Sequence, residues 1–209
     1  MIYNNILEQT SIMTFTDVFP VHECVTISSE ILKYKNKCDS SADNNMNLNS
    51  NTGCWMGMPH KNNGFSKNTE SLLVTKLMEC ASTYRSNLPM PSNINSLDIN
   101  FLDTENLHIH AWCNVNNPGS ENFIHCHQGN LFSGVAYFQA EDTGALEFIP
   151  NNYIQKLTHP AWPFHGTSIY HPNDGEVLIF PSYLLHRVHK NNSDKQRITM
   201  AFDISLAEK

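Results

Sequence analysis

What most constrains the fold of this chain is the texture of its second half. Short segments rich in β-branched and aromatic residues occupy 97–102, 107–115, 131–139, 145–149, 176–180, 185–189 and 197–204. Turn clusters separate them: Asn117-Pro118-Gly119, Asp142-Thr143-Gly144, Pro172-Asn173-Asp174-Gly175 and Asn191-Asn192-Ser193-Asp194. Strands this short cannot bury an apolar face alone, so a run of them predicts a mainly β sandwich or barrel of the jelly-roll kind. The first 96 residues read differently. A strand within 12–18 ends before Pro20. Val21, Cys24, Ile27, Ile31 and Tyr34 recur at steps of three and four, which predicts a helix over 21–35, and Lys33, Lys35 and Lys37 suit its C-terminal end. Asn68-Thr69-Glu70 offers a second helix start. Leu72, Leu73, Leu77, Met78, Ala81 and Tyr84 mark its apolar face over 69–85, before the Leu88-Pro89-Met90-Pro91 stop. The polar stretch 39–51 is expected to be a loop. The 209 residues fit one domain, in which 1–96 supply a strand and helices that flank a jelly-roll core over 97–209.

Charge and cysteine usage narrow the partners. The net charge is -7 and the pI near 5.8. Binding to nucleic-acid phosphates needs clustered Lys and Arg, so bulk DNA or RNA is not an expected partner. No apolar run reaches the length of a membrane span, and Met1-Ile2-Tyr3-Asn4-Asn5 lacks a basic region followed by an apolar one. The expectation is a cytoplasmic protein without membrane association. Cys24, Cys38, Cys54, Cys80, Cys113 and Cys126 are scattered, with no CxxC pair, which suits reduced thiols.

The chemistry rests on histidine placement. His125-Cys126-His127 stands before the 131–139 segment, and alternate residues of an extended chain point the same way, so both imidazoles can face one cavity. Such a pair alone says little. A second segment, Gly175 through Phe180-Pro181-Ser182-Tyr183-Leu184-Leu185-His186, reads as turn, buried strand, tight turn and histidine, and Arg197 follows eleven residues later. Together these resemble the 2-oxoglutarate and iron(II)-dependent oxygenase superfamily. The likeness is nearest to a branch marked by an Asn-containing strand, a His-x-His pair, a Ser-Gly-Val-x-Tyr strand, a Phe-Pro-Ser-x-x-x-His turn and an Arg-Ile-Ser/Thr strand. This chain supplies Trp112-Cys113-Asn114, His125-Cys126-His127, Ser133-Gly134-Val135-Ala136-Tyr137, the 180–186 turn and Arg197-Ile198-Thr199. Asn51-Thr52-Gly53-Cys54-Trp55 is similar to a Gly-Trp segment of the same branch.

The resemblance implies a double-stranded β-helix whose iron(II) is held by His125, His127 and His186. Neutral ligands on one face of iron leave positions for cosubstrate and dioxygen. It further implies 2-oxoglutarate as cosubstrate, its distal carboxylate on Arg197 with Thr199 assisting, and ascorbate as a reductant in vitro. The activity implied is hydroxylation of a small-molecule or peptide substrate. Asn114 and Tyr137 are candidates for cosubstrate contact, each balanced against a structural role. One departure from the superfamily pattern is His at position 127, where a carboxylate is usual. Glu121, Glu141, Asp142 and Glu147 stand near enough in sequence to substitute. A three-histidine dioxygenase of the cupin kind, working without 2-oxoglutarate, and a non-catalytic jelly-roll binding module are the competing functions. Among the remaining histidines, His108 and His110 share a strand face with Trp112 and Asn114. His189 is expected to be exposed, and His159, His165 and His171 fall in or beside a Pro-rich loop over 160–172 with Trp162 and Phe164. Cys126, between two candidate ligands, is expected to be buried filler.

Overall fold

A computed structural model gives the fold and describes residues 11–39, 51–88, 107–149 and 168–206. The chain order is β1 (Met13–Phe15), α1 (Val21–Asp39), β2 (Asn51–Gly57), α2 (Lys67–Ser86), β3 (Leu107–His125), β4 (Phe132–Gln139), β5 (Leu146–Ile149), β6 (Ser168–Tyr170), β7 (Val177–Pro181), β8 (Leu185–Val188) and β9 (Arg197–Leu206). The strands pair antiparallel in the order β1-β7-β4-β9-β3-β8-β5-β6, and β2 adds to β3. This is the mainly β, double-stranded β-helix architecture with two flanking helices that the sequence predicts.

β9 shows why the sheet is covered on both sides. Its even residues Ile198, Met200, Phe202 and Ile204 join the large core beneath the helices, alongside Ile27, Ile31, Leu73 and Leu77. Its odd residues Arg197, Thr199 and Asp203 are buried as well, on the face that lines the interior. Strand alternation therefore separates an apolar packing face from a polar chemical face within one ten-residue strand.

α1 follows Pro20, whose carbonyl accepts from the Glu23 and Cys24 N–H groups. It buries Cys24, Ile27, Ser28, Ile31 and Tyr34. Val21, the first residue of the helix, leaves the expected stripe and is exposed. α2 begins one residue before Asn68, with Ser66 as its N-cap: the hydroxyl accepts from Thr69 N–H at 3.3 Å, a contact of the kind that contributes about 1 kcal/mol. Lys76 bonds Glu23 Oε2 and the Val18 carbonyl, both at 2.6 Å, and fastens α2 to the start of α1.

Several expectations change. Asn117-Pro118-Gly119 does not end a strand. β2 runs past it, pairing Thr52 with Glu121 and Cys54 with Asn116, so the turn residues form a bulge within a continuous β3. The strand β2 itself is unexpected. So is β6, which falls at the end of the stretch read as a Pro-rich loop. The 97–102 segment, most of the 39–51 loop, and His159, Trp162, Phe164 and His165 lie outside the described residues.

Candidate metal centre and cosubstrate pocket

Register brings the site together. Asn114 of β3 pairs with Thr199 of β9, which on its other side pairs with Tyr137 of β4. Partners across a ladder share a face, so these three form one row on the inner surface. Trp112, Ala201 and Val135 form the next row, and His110, Asp203 and Ser133 the one beyond. Asn116 and Arg197 pair at the opposite end. The inner surface bounds a cavity of about 550 Å³ whose lining includes His125, His127, His186, Asn114, Thr199 and Arg197.

The His-x-His pair straddles the end of β3, of which His125 is the last residue. There it pairs with His186 of β8, and their ring centroids are 4.4 Å apart. His127 reaches the same point after the strand, its backbone N–H donating to the Ser182 carbonyl at 2.9 Å. Its ring centroid lies 5.2 Å from that of His125 and 5.1 Å from that of His186. One nitrogen from each of the three rings falls within 4.8 Å of the others.

Their other nitrogens are engaged. Nδ1 of His125 lies 2.6 Å from the Phe123 carbonyl, that of His186 2.9 Å from the Leu184 carbonyl, and that of His127 2.7 Å from Asp203 Oδ1. Each acceptor selects the Nδ1–H tautomer and leaves Nε2 with a free lone pair, the state a divalent ion requires. Burial, reinforced by His125, pulls His186 down to about 3, and burial also lowers His125. Phe180 packs edge-on against the His186 ring at 4.9 Å. A cluster of imidazoles so arranged fits iron(II), zinc or nickel.

No carboxylate among the described residues joins this cluster. Glu141 and Asp142 are exposed, and Glu121 is half-buried on β3. Glu147 is buried, but it pairs across the ladder with Arg187, whereas His186 pairs with Phe148, so Glu147 faces the other way. It accepts from Arg187 Nε at 2.6 Å and lies 2.8 Å from His189 Nε2, which leaves His189 half-buried rather than exposed. Cys126 is half-buried and borders the cavity instead of filling a core.

Arg197 occupies the far end, 2% exposed. Its Cζ lies 5.5 Å from the Tyr137 ring centroid. Among the described residues its Nε and Nη2 have no hydrogen-bond partner, and neither has Tyr137 Oη. Burial lowers the guanidinium below its ordinary value, and burial pushes Tyr137 up to about 12. A buried cation without an anion costs several kcal/mol, so these orphaned donors fit a carboxylate entering from the cavity. Tyr137, a candidate for cosubstrate contact, is fully buried against the guanidinium and does not border the cavity.

Asp203 is the residue that reading the sequence missed. It is buried, takes His127 Nδ1 and Ser133 Oγ on Oδ1 at 2.7 and 2.6 Å, and takes Asn130 Nδ2 on Oδ2 at 3.1 Å. Its parity with Arg197 and Thr199 on the last strand was the available signal.

Comparison with known proteins agrees with this geometry. No curated protein matches the sequence. The fold is similar to a prolyl-4-hydroxylase of Pseudomonas putida, with TM-score 0.59 and 14% identity over 96% of this chain and 94% of that one. It is similar to the 2-oxoglutarate-dependent carbocyclase SnoK of nogalamycin biosynthesis, with TM-score 0.65 and 9% identity over 95% and 80%. It is also similar to HygX of Streptomyces hygroscopicus, solved with nickel and 2-oxoglutarate, with TM-score 0.56 and 11% identity over 94% and 83%. Residues 110–203 match the family described as "Putative 2OG-Fe(II) oxygenase". That stretch holds the three imidazoles, Asp203 and Arg197, and in it the chain is similar to the 2-oxoglutarate and iron(II)-dependent oxygenases.

Proposed function

We propose that the protein is a 2-oxoglutarate-dependent hydroxylase in which His125, His127 and His186 hold iron(II) and Arg197 holds the distal carboxylate of the cosubstrate. The observation that carries this reading is the pair of orphaned guanidinium donors, buried at the end of a cavity whose other end is a convergent imidazole cluster. Iron(II) and 2-oxoglutarate, when bound, supply the oxidising chemistry: with dioxygen the cosubstrate goes to succinate and carbon dioxide and the substrate gains a hydroxyl group. The chain's own part is placement. His125, His127 and His186 would hold the ion through Nε2. Arg197 offers a planar, charged fork to a carboxylate, and Thr199 and Asn114, in the adjacent row, add a hydroxyl and an amide. Leu146, Phe180 and Val188 give the cavity an apolar wall that restricts water. The substrate is a small molecule or peptide segment that enters beside the imidazoles.

Titration of 2-oxoglutarate into the anaerobic iron(II) protein tests the assignment through the metal-to-ligand charge-transfer band. Arg197→Ala is expected to weaken cosubstrate binding by roughly 2–5 kcal/mol, as for truncated buried charge pairs, while iron stays bound. A variant that binds as tightly as the parent would remove Arg197 from this role. A parent that binds iron but gives no band would favour a three-histidine dioxygenase without 2-oxoglutarate. Succinate release under iron(II) and ascorbate, screened against metabolite and peptide mixtures, identifies the substrate class.

A further inference from the structure

The metal ligands of this chain are three neutral side chains, yet one buried carboxylate stands directly behind them. Asp203 reaches His127 from 76 positions away in sequence, on the inner face of β9, and its Oδ1 lies 2.7 Å from Nδ1 of the ring. The carboxylate has little freedom to turn. Ser133 Oγ donates to the same oxygen at 2.6 Å and Asn130 Nδ2 to the other at 3.1 Å. Ser133 also meets the Ser182 hydroxyl at 2.8 Å, and the Ser182 carbonyl accepts the His127 backbone N–H. Ring and backbone of His127 are therefore fixed by one connected network that is buried at Ser133, Ser182 and Asp203 and half-buried at Asn130. By contrast, His125 and His186 direct Nδ1 at neutral carbonyls.

We propose that Asp203 is a positioning residue that supplies at one remove the negative charge a direct carboxylate ligand would bring. An anion accepting from Nδ1–H fixes the tautomer, aims Nε2 and makes it a stronger donor, and such partners are commonly worth 10- to 100-fold in metal affinity. The inference rests on the proposed metal role of the three histidines. It assigns Ser133 and Ser182, which stand in the Ser-Gly-Val and Phe-Pro-Ser segments, to bracing that carboxylate and the His127 backbone.

Two measurements test it without turnover. In the metal-free parent, long-range 15N–1H correlation spectra should give His127 as a single Nδ1–H tautomer with its ring proton far downfield. In Asp203→Asn that proton should move upfield, and anaerobic iron(II) or nickel(II) titration should show affinity lowered roughly 10- to 100-fold. The thermal midpoint of metal-free Asp203→Asn distinguishes lost ligand strength from lost fold. If the variant does not fold, the parent spectrum decides: an Nε2–H tautomer, or exchange between two, overturns the proposal. Parent-like affinity in a folded Asp203→Asn protein overturns it as well. A parent that shows the tautomer but binds no divalent ion refutes the oxygenase reading while leaving Asp203 as the group that holds His127.

Discussion

Gly134 and Glu147 show how much single positions carry. A Cβ built on Gly134 would lie 2.2 Å from Cζ of Phe202 and 2.8 Å from the Leu178 carbonyl oxygen, because β4 crosses the Phe202 ring without clearance. Gly134→Ala is expected to destabilise the fold by about 1–3 kcal/mol, the usual cost of overpacking, read as a lowered urea midpoint. A midpoint equal to the parent's would mean that the Phe202 ring moves aside freely. Glu147 and His127 make a sharper contrast. Both are partnered by ionisable groups, but only His127 points into the imidazole cluster. His127→Ala should abolish stoichiometric iron(II) binding, since two ligands hold a labile divalent ion poorly, whereas Glu147→Ala should keep it and lose stability. Metal analysis of the two variants after desalting separates these outcomes, and the reverse result would replace the triad.

Between β6 and β7 the chain turns around Glu176, whose carboxylate accepts from the Asn173 backbone and side chain, each at 2.9 Å, and from the Tyr170 hydroxyl. Burial raises this carboxyl, but the hydrogen bonds outweigh burial and leave it below its ordinary value of 4.5. A depressed carboxyl stabilises the fold above its unfolded-state value, and the contribution disappears as pH falls through the lower folded value. Unfolding free energy should therefore drop below about pH 4.5 in the parent. Glu176→Gln should be less stable at pH 7 and show a shallower acid decline. An identical acid limb in both proteins would detach this turn from the pH dependence. β6 is only three residues long and its burial pattern is largely exposed, so this turn is a principal attachment of that edge to β7.

No single element contains the candidate metal centre. Its histidines come from the end of β3, the turn after it and β8, and β9 supplies the carboxylate behind them. An ion held this way binds the folded chain and not the unfolded one, so it must raise global stability. At a free nickel(II) concentration 100 times Kd the gain should be about 2.7 kcal/mol, read in denaturant titrations with and without metal. The protein carrying His125→Ala, His127→Ala and His186→Ala together should show no gain, and a gain of similar size there would point to a second binding site.

Local order was legible in the sequence. Steps of three and four placed α1 and α2 within a few residues, because that period reports the side of a helix that meets the core, and segments rich in β-branched and aromatic residues between turn clusters placed β4, β5, β7, β8 and β9. The resemblance carried by the His-x-His, Phe-Pro-Ser-x-x-x-His and Arg-Ile-Thr segments singled out His125, His127, His186 and Arg197. β2 and β6 were not legible. The first begins Asn51-Thr52-Gly53 and the second follows a Pro-rich stretch, and both are strands because neighbours supply their hydrogen bonds. Asp203 was equally hidden. Its meaning depends on β9 lying between β3 and β4 in a register that sets position 203 opposite His110 and Ser133. Such pairing joins residues far apart in the chain and leaves no local period, so the three clustered histidines could be picked out in the sequence, while the group that holds His127 in place was decided by the folded sheet.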